Sequence, residues 1–354
     1  MSKSTEKKKK IWLVTGASGH LGNNVVRKLL QQDELVRAFI LEKERPKALE
    51  GLNCEVVSGN VTDAPSLDSL FTGLEDFDIT VLHLASMITI YAKAGQRVYD
   101  INVGGTKNML AAAKKFKAKR FLYCGTIHAL PLPDDPLTTI DEVDHYKPEL
   151  LHGDYAKSKA MASQLVLDAA QDGLDTVIVQ PSGIIGPNDY LDGHFTRLFE
   201  KLVDRKLPAM IQGTYDFVDV LDVADGLIAA AKFGRTGQSY NLTGHDASVL
   251  EIMNEAAKMT GRRTFKSTAP LWLAKLAAPF TEWWSKKTEK TPLLTPYSLY
   301  TMSTPHQFSN EKAKKELGYT VRPLNDTIRY TLGSMESRKR FKTTVVFKKD
   351  YAQF

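Results

Sequence analysis

Across residues 11–181 the chain alternates short, nearly continuous apolar runs with longer stretches whose apolar positions recur every three to four residues. The short runs, such as IWLVT at 11–15, predict buried strands at 11–15, 35–41, 54–59, 79–85, 120–125 and 176–181. The longer stretches predict helices over 21–32, 64–72, 96–116 and 154–170. Strands apolar on both faces and separated by helices belong to a parallel sheet covered on both sides. The expected fold class is therefore α/β, a doubly wound parallel sheet.

After Pro181 the rhythm changes, with longer loops, more prolines and aromatics, a helical segment at 250–258 and a short extended one at 239–243. This part predicts a smaller, mostly helical substrate-binding portion set against the C-terminal strand ends, where open α/β sheets bind ligands. The expected division is a disordered basic tail at 1–10, a dinucleotide-binding unit at 11–181, a mixed portion at 182–337 interleaved with the last strands, and a basic tail at 338–354.

Composition alters this picture little, since 43% hydrophobic and 25% charged residues are ordinary globular values. The net charge of +6 is more informative once located. Residues 1–10 carry five lysines against Glu6, and residues 338–354 carry six basic residues against Asp350, so the body between them is slightly acidic. A nucleic-acid-binding protein would carry its basic residues on the folded body, so no nucleic-acid partner is expected. Two cysteines, Cys54 and Cys124, make no disulfide framework, and no His or Cys spacing suits a metal. A reducing, cytoplasmic setting follows, with no metal site and no signal peptide in the basic start. The apolar segment 270–284, PLWLAKLAAPFTEWW, is broken by Lys275, Pro279 and Glu282 and is too short to span a bilayer.

The first strand runs into TGASGHLG, which places Gly16, Gly19 and Gly22 between strand and helix. Glycines there permit a tight turn, close backbone approach to a pyrophosphate and close helix packing, while the helix N-terminus attracts phosphate. Ser18, His20 and Leu21 complete this expected cofactor loop. At the end of the second strand Glu42 favours the ribose diol of NAD, whereas Lys43 and Arg45 favour the 2′-phosphate of NADP. Either cofactor remains open.

GDYAKSKA, 153–160, opens a helix with Tyr155 and Lys159 four positions apart on one face, and with Lys157 turned away. A phenol with a pKa of about 10 is a poor acid or base at neutral pH. An ammonium one helical turn away would lower that value.

Nine segments in order, TGASGHLG, GNVTD, HLAS, INVGGTKNML, YAKSK, QPSGIIGP, FVDVLDVADG, YNLTG and FSNEKAKKELGY, resemble the extended short-chain dehydrogenase/reductases, which include the epimerases and dehydratases. The resemblance spans nearly the whole chain and implies Tyr155 as general acid or base, Lys159 as its partner and ribose ligand, and Thr126 on the substrate oxygen. It further implies that Asn102 organises the site, that Asn60 and Val61 lie near adenine, and that Leu84, Ala85 and Ser86 line the cofactor. Pro181, Gly183 and Ile184 would run beside the nicotinamide. His83 reads as a buried strand-end histidine, and Asp219, Asp222 and Asp225 as acids at a helix N-terminus.

Within that family, YDFVDVLDVADG and the later pattern of Pro292, Leu294, Thr295 and KAKKELGY are most similar to the dihydroflavonol reductase and 3β-hydroxysteroid dehydrogenase branch. The expected activity is therefore NAD(P)-dependent reduction of a hydrophobic carbonyl. The alternatives are a sugar-nucleotide epimerase or dehydratase, for which Arg197, Arg205, Arg262 and Arg263 offer no assignable pattern, and a non-catalytic cofactor-binding scaffold. The apolar segment 270–284 is expected near the substrate cleft, as a lid or a homodimer surface. A weaker reading gives it peripheral membrane contact together with the basic C-terminal tail.

Overall fold

The structure, a computed structural model, describes residues 8–42, 44, 46–135, 137–207, 209–288, 295–303 and 307–343. Lys43, Arg45, Pro292, Leu294 and the tails at 1–7 and 344–354 lie outside the described residues.

From β1 (Lys9–Thr15) the chain passes through α1 (His20–Gln31) to β2 (Leu35–Ile40) and then β3 (Glu55–Ser58). After α2 (Asp68–Phe71) it returns to the other side of β1 as β4 (Phe77–His83). Next come α3 (Gln96–Tyr99), α4 (Gly105–Lys115), β5 (Arg120–Cys124), α5 (Asp154–Gln171) and β6 (Thr176–Pro181). An excursion through β7 (Gly183–Ile185), α6 (His194–Val203), β8 (Met210–Ile211), β9 (Thr214–Asp219) and α7 (Val220–Phe233) then leads to β10 (Gln238–Leu242) beside β6. The main sheet has seven strands, all parallel, in the order β3-β2-β1-β4-β5-β6-β10. The direction of winding reverses between β1 and β4, which opens a crevice at their C-terminal ends.

One face of the sheet buries Val14, Leu82, Val179 and Tyr240 under α1 and α7, and the other buries Leu13, Val81, Phe121 and Ile178 under α4 and α5. Apolar side chains on both faces are why these strands read as unbroken runs.

The remaining elements are β11 (His245–Ser248), α8 (Val249–Met259), β12 (Thr268–Ala269), α9 (Leu271–Thr288), α10 (Pro296–Ser303), α11 (Glu311–Leu317) and α12 (Leu324–Ser337). A separate core of Phe199, Ile252, Met253, Ile328 and Leu332 joins α6, α8 and α12. Helix α8 begins with a capping box: the Glu251 amide donates to Ser248 Oγ, and the Glu251 carboxylate accepts from the Ser248 amide.

Three expectations change. Lys9 and Lys10 belong to β1, pairing with Phe77 and Asp78, and the Lys8 ammonium donates to the Glu75 carbonyl at 2.6 Å, so the first strand begins inside the expected N-terminal tail. Part of the expected C-terminal tail is also docked: Arg338 donates to the Asp189 carbonyl at 2.6 Å and lies over the Tyr190 ring, and Arg340 pairs with Asp192 at 2.8 Å. The expected helix over 96–116 contains a π-helical turn at Asp100–Gly104, where Asn102 turns away to bond a loop.

Candidate active site

The glycine loop sits at the crevice. Gly16 has φ of +66°, and a Cβ there would lie 2.8 Å from the Ala85 amide, so β1 and the segment after β4 meet backbone to backbone. A Cβ on Gly22 would stand 2.1 Å from the Gly16 carbonyl. Gly19, at the N-cap of α1, provides no side-chain cap, and the first turn holds no acidic residue. This leaves a helix N-terminus suited to a diphosphate. Ser86 adds a buried hydroxyl with no hydrogen-bond partner among the described residues. These features fit a nicotinamide dinucleotide.

Two loop side chains have other engagements. His20 bonds the Pro187 carbonyl at 3.0 Å, and burial lowers its pKa below the ordinary imidazole value. The Ser18 hydroxyl donates to the Glu44 carboxylate at 2.7 Å. Glu42, the acid singled out from the sequence, is exposed; Glu44, two residues later, reaches back to the loop.

The neighbouring turns are tied by side chains. Thr15 Oγ1 accepts from the Leu84 and Ala85 amides, each at 3.2 Å, and bonds His83, whose other ring nitrogen meets Thr106 on α4. His83 is thus a buried brace, and burial drops its pKa to about 3. Asn102 accepts from the Met87 amide at 2.8 Å and donates to Ser158 of α5 at 3.0 Å, joining the loop after β4 to the helix that carries Tyr155. Asn60 accepts from the Thr62 amide, and the Val61 carbonyl accepts from Asn108, which shapes the turn after β3. Pro181 ends β6, and Gly183 and Ile184 pair with Phe217 and Val218 of β9.

Tyr155 and Lys159 stand in the first two turns of α5, opposite the end of β5. Lys159 is only 2% exposed; its ammonium donates to the Cys124 carbonyl at 2.6 Å and lies 4.3 Å over the Tyr123 ring. Burial lowers its pKa to about 8. Burial also pushes the Tyr155 phenol above its ordinary value, against a smaller opposing pull from its hydrogen bond with Thr126. The expected lowering of Tyr155 by Lys159 is therefore not the effect that dominates. Desolvation of the phenolate is the largest cause at Tyr155, while the Lys159 ammonium donates to the Cys124 carbonyl.

Three residues that sequence reasoning missed complete the cluster. The His128 amide donates to Thr126 Oγ1 at 3.3 Å, and its ring sits edge-on to Tyr155 with centroids 6.5 Å apart. Tyr215 of β9 hydrogen-bonds His128 Nε2 and lies against Gly183, where a Cβ would clash with its ring at 2.5 Å. Tyr297 of α10 lies against Gly153 at the start of α5. A cavity opens here, lined by Leu130, Leu132, Leu151, Tyr215, Tyr297 and Tyr300 among others. Tyr215 begins the YDFVDVLDVADG segment, but no periodicity marks a side chain that arrives from a strand outside the main sheet.

Other expectations find structural uses. Asp219 caps α7 through the Leu221 amide, Asp222 pairs with Arg322 at 2.7 Å, and Asp225 pairs with Lys28 at 2.6 Å. Arg262 donates to the Val203 carbonyl rather than entering the cavity. Segment 270–284 forms most of α9, yet α9 contributes no residue to the described cavity lining; α10 does. No cluster able to hold a metal occurs among the described residues, and no described helix is long and apolar enough to cross a membrane.

Residues 12–243 match the family model of the NAD dependent epimerase/dehydratase family. The protein named "Putative dihydroflavonol 4-reductase" of Synechocystis sp. is 33% identical over 316 residues, covering 87% of this chain and 89% of that one. "Sterol demethylase protein B" of Methylococcus capsulatus is 28% identical, covering 86% and 92%. The crystal structure of gox2253 superposes with a TM-score of 0.79 at 26% identity, covering 94% of this chain and all of that one. The chain belongs to the NAD dependent epimerase/dehydratase family, within the extended short-chain dehydrogenases/reductases. It is a dehydrogenase/reductase of this NAD-dependent family.

Proposed function

We propose that this enzyme interconverts a hydrophobic ketone or aldehyde and its alcohol, the substrate being dihydroflavonol- or steroid-like in size and polarity. The observation that carries this reading is the cavity beside Tyr155. Its described lining combines leucines, tyrosines, Ile127, Ala156 and Phe308 with the polar His128, His152, Thr214, Thr301, Asp216 and Asp246, and includes neither arginine nor lysine. A sugar-nucleotide diphosphate needs cations, whereas a rigid apolar carbonyl compound needs such a surface. The names of the reductase and sterol-related relatives support the same reading.

The dinucleotide would be held by the loop Gly16–Gly22, by Leu84–Ser86, by Asn60 and Val61, by Pro181, Gly183 and Ile184, and by Lys159. When bound, its nicotinamide supplies or accepts the hydride. Burial keeps the Tyr155 phenol protonated, which is the form able to donate to a carbonyl oxygen. Thr126, bonded to that phenol, orients it and offers a second hydroxyl to the same oxygen. Asn102 positions α5 through Ser158. Glu44 beside Ser18 puts negative charge next to the loop and favours NAD over the 2′-phosphorylated cofactor.

NADH and NADPH oxidation should be followed separately with aromatic ketones, 3-ketosteroids and UDP-sugars. Stoichiometric NADH oxidation with an apolar ketone is the expected result. Conversion of a UDP-sugar with catalytic NAD, and no turnover of apolar ketones, would overturn the reading.

A further inference from the structure

Helix α9 presents a surface that the site does not use. Among its described side chains Ala274 and Ala278 are buried, and they pack with Leu299 of α10. At 100° per residue, Trp272, Leu273, Leu276, Phe280 and Trp283 fall on the opposite side. They are respectively 63%, 48%, 70%, 63% and 48% exposed. Scattered exposed leucines are normal on protein surfaces, but five large apolar side chains on one face of one helix are not. A substrate lid would place these side chains against the cavity, and none lines it among the described residues.

Charge indicates what covers this face. Segment 271–290 carries Lys275, Lys286, Lys287 and Lys290 against Glu282 and Glu289, a net +2. Lys287 lies within the apolar arc, its ammonium 4.3 Å over the Trp283 ring. A second protein copy docking here would have to bury that ammonium, and lysine is depleted from the cores of such interfaces. A lipid headgroup layer accepts it: the apolar stem lies along the acyl boundary and the charge meets phosphate. Tryptophans near both ends of the stripe suit the same layer. A helix apolar on one outward face and interrupted by Lys275 and Glu282 suits lying in the plane of the interface rather than crossing it.

We propose that the outer face of α9 docks onto a membrane surface bearing anionic headgroups, with Trp272, Leu276, Phe280 and Trp283 in the interfacial zone. Because Tyr297 and Tyr300 of α10 line the cavity and α10 packs on α9, the docked face stands one helix away from the substrate cavity. The proposal concerns a surface and does not depend on which carbonyl is reduced.

The test is co-sedimentation of the full chain with phosphatidylcholine vesicles, with and without phosphatidylglycerol, alongside tryptophan fluorescence and sedimentation velocity. The expected result is pelleting with the anionic vesicles, weakened by salt, with a blue-shifted tryptophan emission. The double variant Trp272→Glu, Leu276→Glu should lower the bound-to-free ratio by about tenfold or more. Both positions are outward, so its melting temperature and NADH affinity should match the parent. Background pelleting of the parent, or pelleting indifferent to the double variant, overturns the proposal. So does a lipid-free dimer that the double variant dissolves, which would make a second copy the occupant.

Discussion

At the glycine-loop end of the cleft the decisive atoms are backbone, while around Tyr155 they belong to side chains. Gly16 and Gly22 function by lacking a Cβ, since the Gly16 carbonyl and the Ala85 amide occupy the space one would fill. The loop itself is a contiguous segment of strand, turn and helix. The Tyr155 end joins α5, the end of β5, β9 and α10, and each brings polar or aromatic side chains. One end should therefore fail when a carbon is added, and the other when an oxygen is removed.

The largest expected effect is at the side-chain end. Tyr155→Phe should lower kcat by about a thousandfold, within the range for losing a general acid, while NADH titration shows nearly parental affinity. Gly22→Ala should do the reverse: an added methyl 2.1 Å from the Gly16 carbonyl forces the loop to move, and cofactor affinity should fall by about tenfold to a hundredfold. If Gly22→Ala left NADH binding intact, the backbone account of that end would be wrong.

Lys159 sharpens the contrast through pH. Its pKa is about 8 when folded and 10.5 ordinarily, so between these values the unfolded chain binds the additional proton. Stability should therefore rise with pH across that window, and the cost of burying the ammonium is full below about 8. Buried tyrosines oppose this above pH 10, because their phenolates form only on unfolding. Urea unfolding of Lys159→Met against pH should lose the rise between about 8 and 10 that the parent shows.

Smaller effects follow at each end. Tyr215→Phe removes the hydroxyl bonded to His128 and should raise KM for a carbonyl substrate about threefold to tenfold, with NADH affinity unchanged. Glu44→Gln should shift the ratio of NADPH to NADH efficiency upward by about fivefold, read from paired kcat/KM values, because a partly exposed carboxylate exerts only a screened repulsion.

Much of the fold was legible because a strand buried on both faces must be apolar along its length, and an amphipathic helix must repeat every three to four residues. The six strands expected before residue 182 all occur, within two residues at their ends. The glycine loop and the pair Tyr155 and Lys159 were legible for a related reason: each is a local arrangement within one turn or one helix. His128, Tyr215, Tyr297 and Glu44 were not, because their positions depend on where separate elements pack.

The pH behaviour of Tyr155 shows the same division. Helical spacing correctly places an ammonium one turn away, but burial and the Cys124 carbonyl decide what that ammonium does. Segment 270–284 shows it again: apolar content left a lid, a dimer surface and membrane contact open, and the fold turned its large apolar side chains outward, away from the cavity. By itself the sequence determined the parallel sheet, the glycine turn between β1 and α1 and the helical spacing of Tyr155 and Lys159, since short-range periodicity and glycine geometry are properties of contiguous chain. Only the tertiary structure decided the cavity, its charge and the outward face of α9, because solvation and contact between distant segments exist only after the elements have packed.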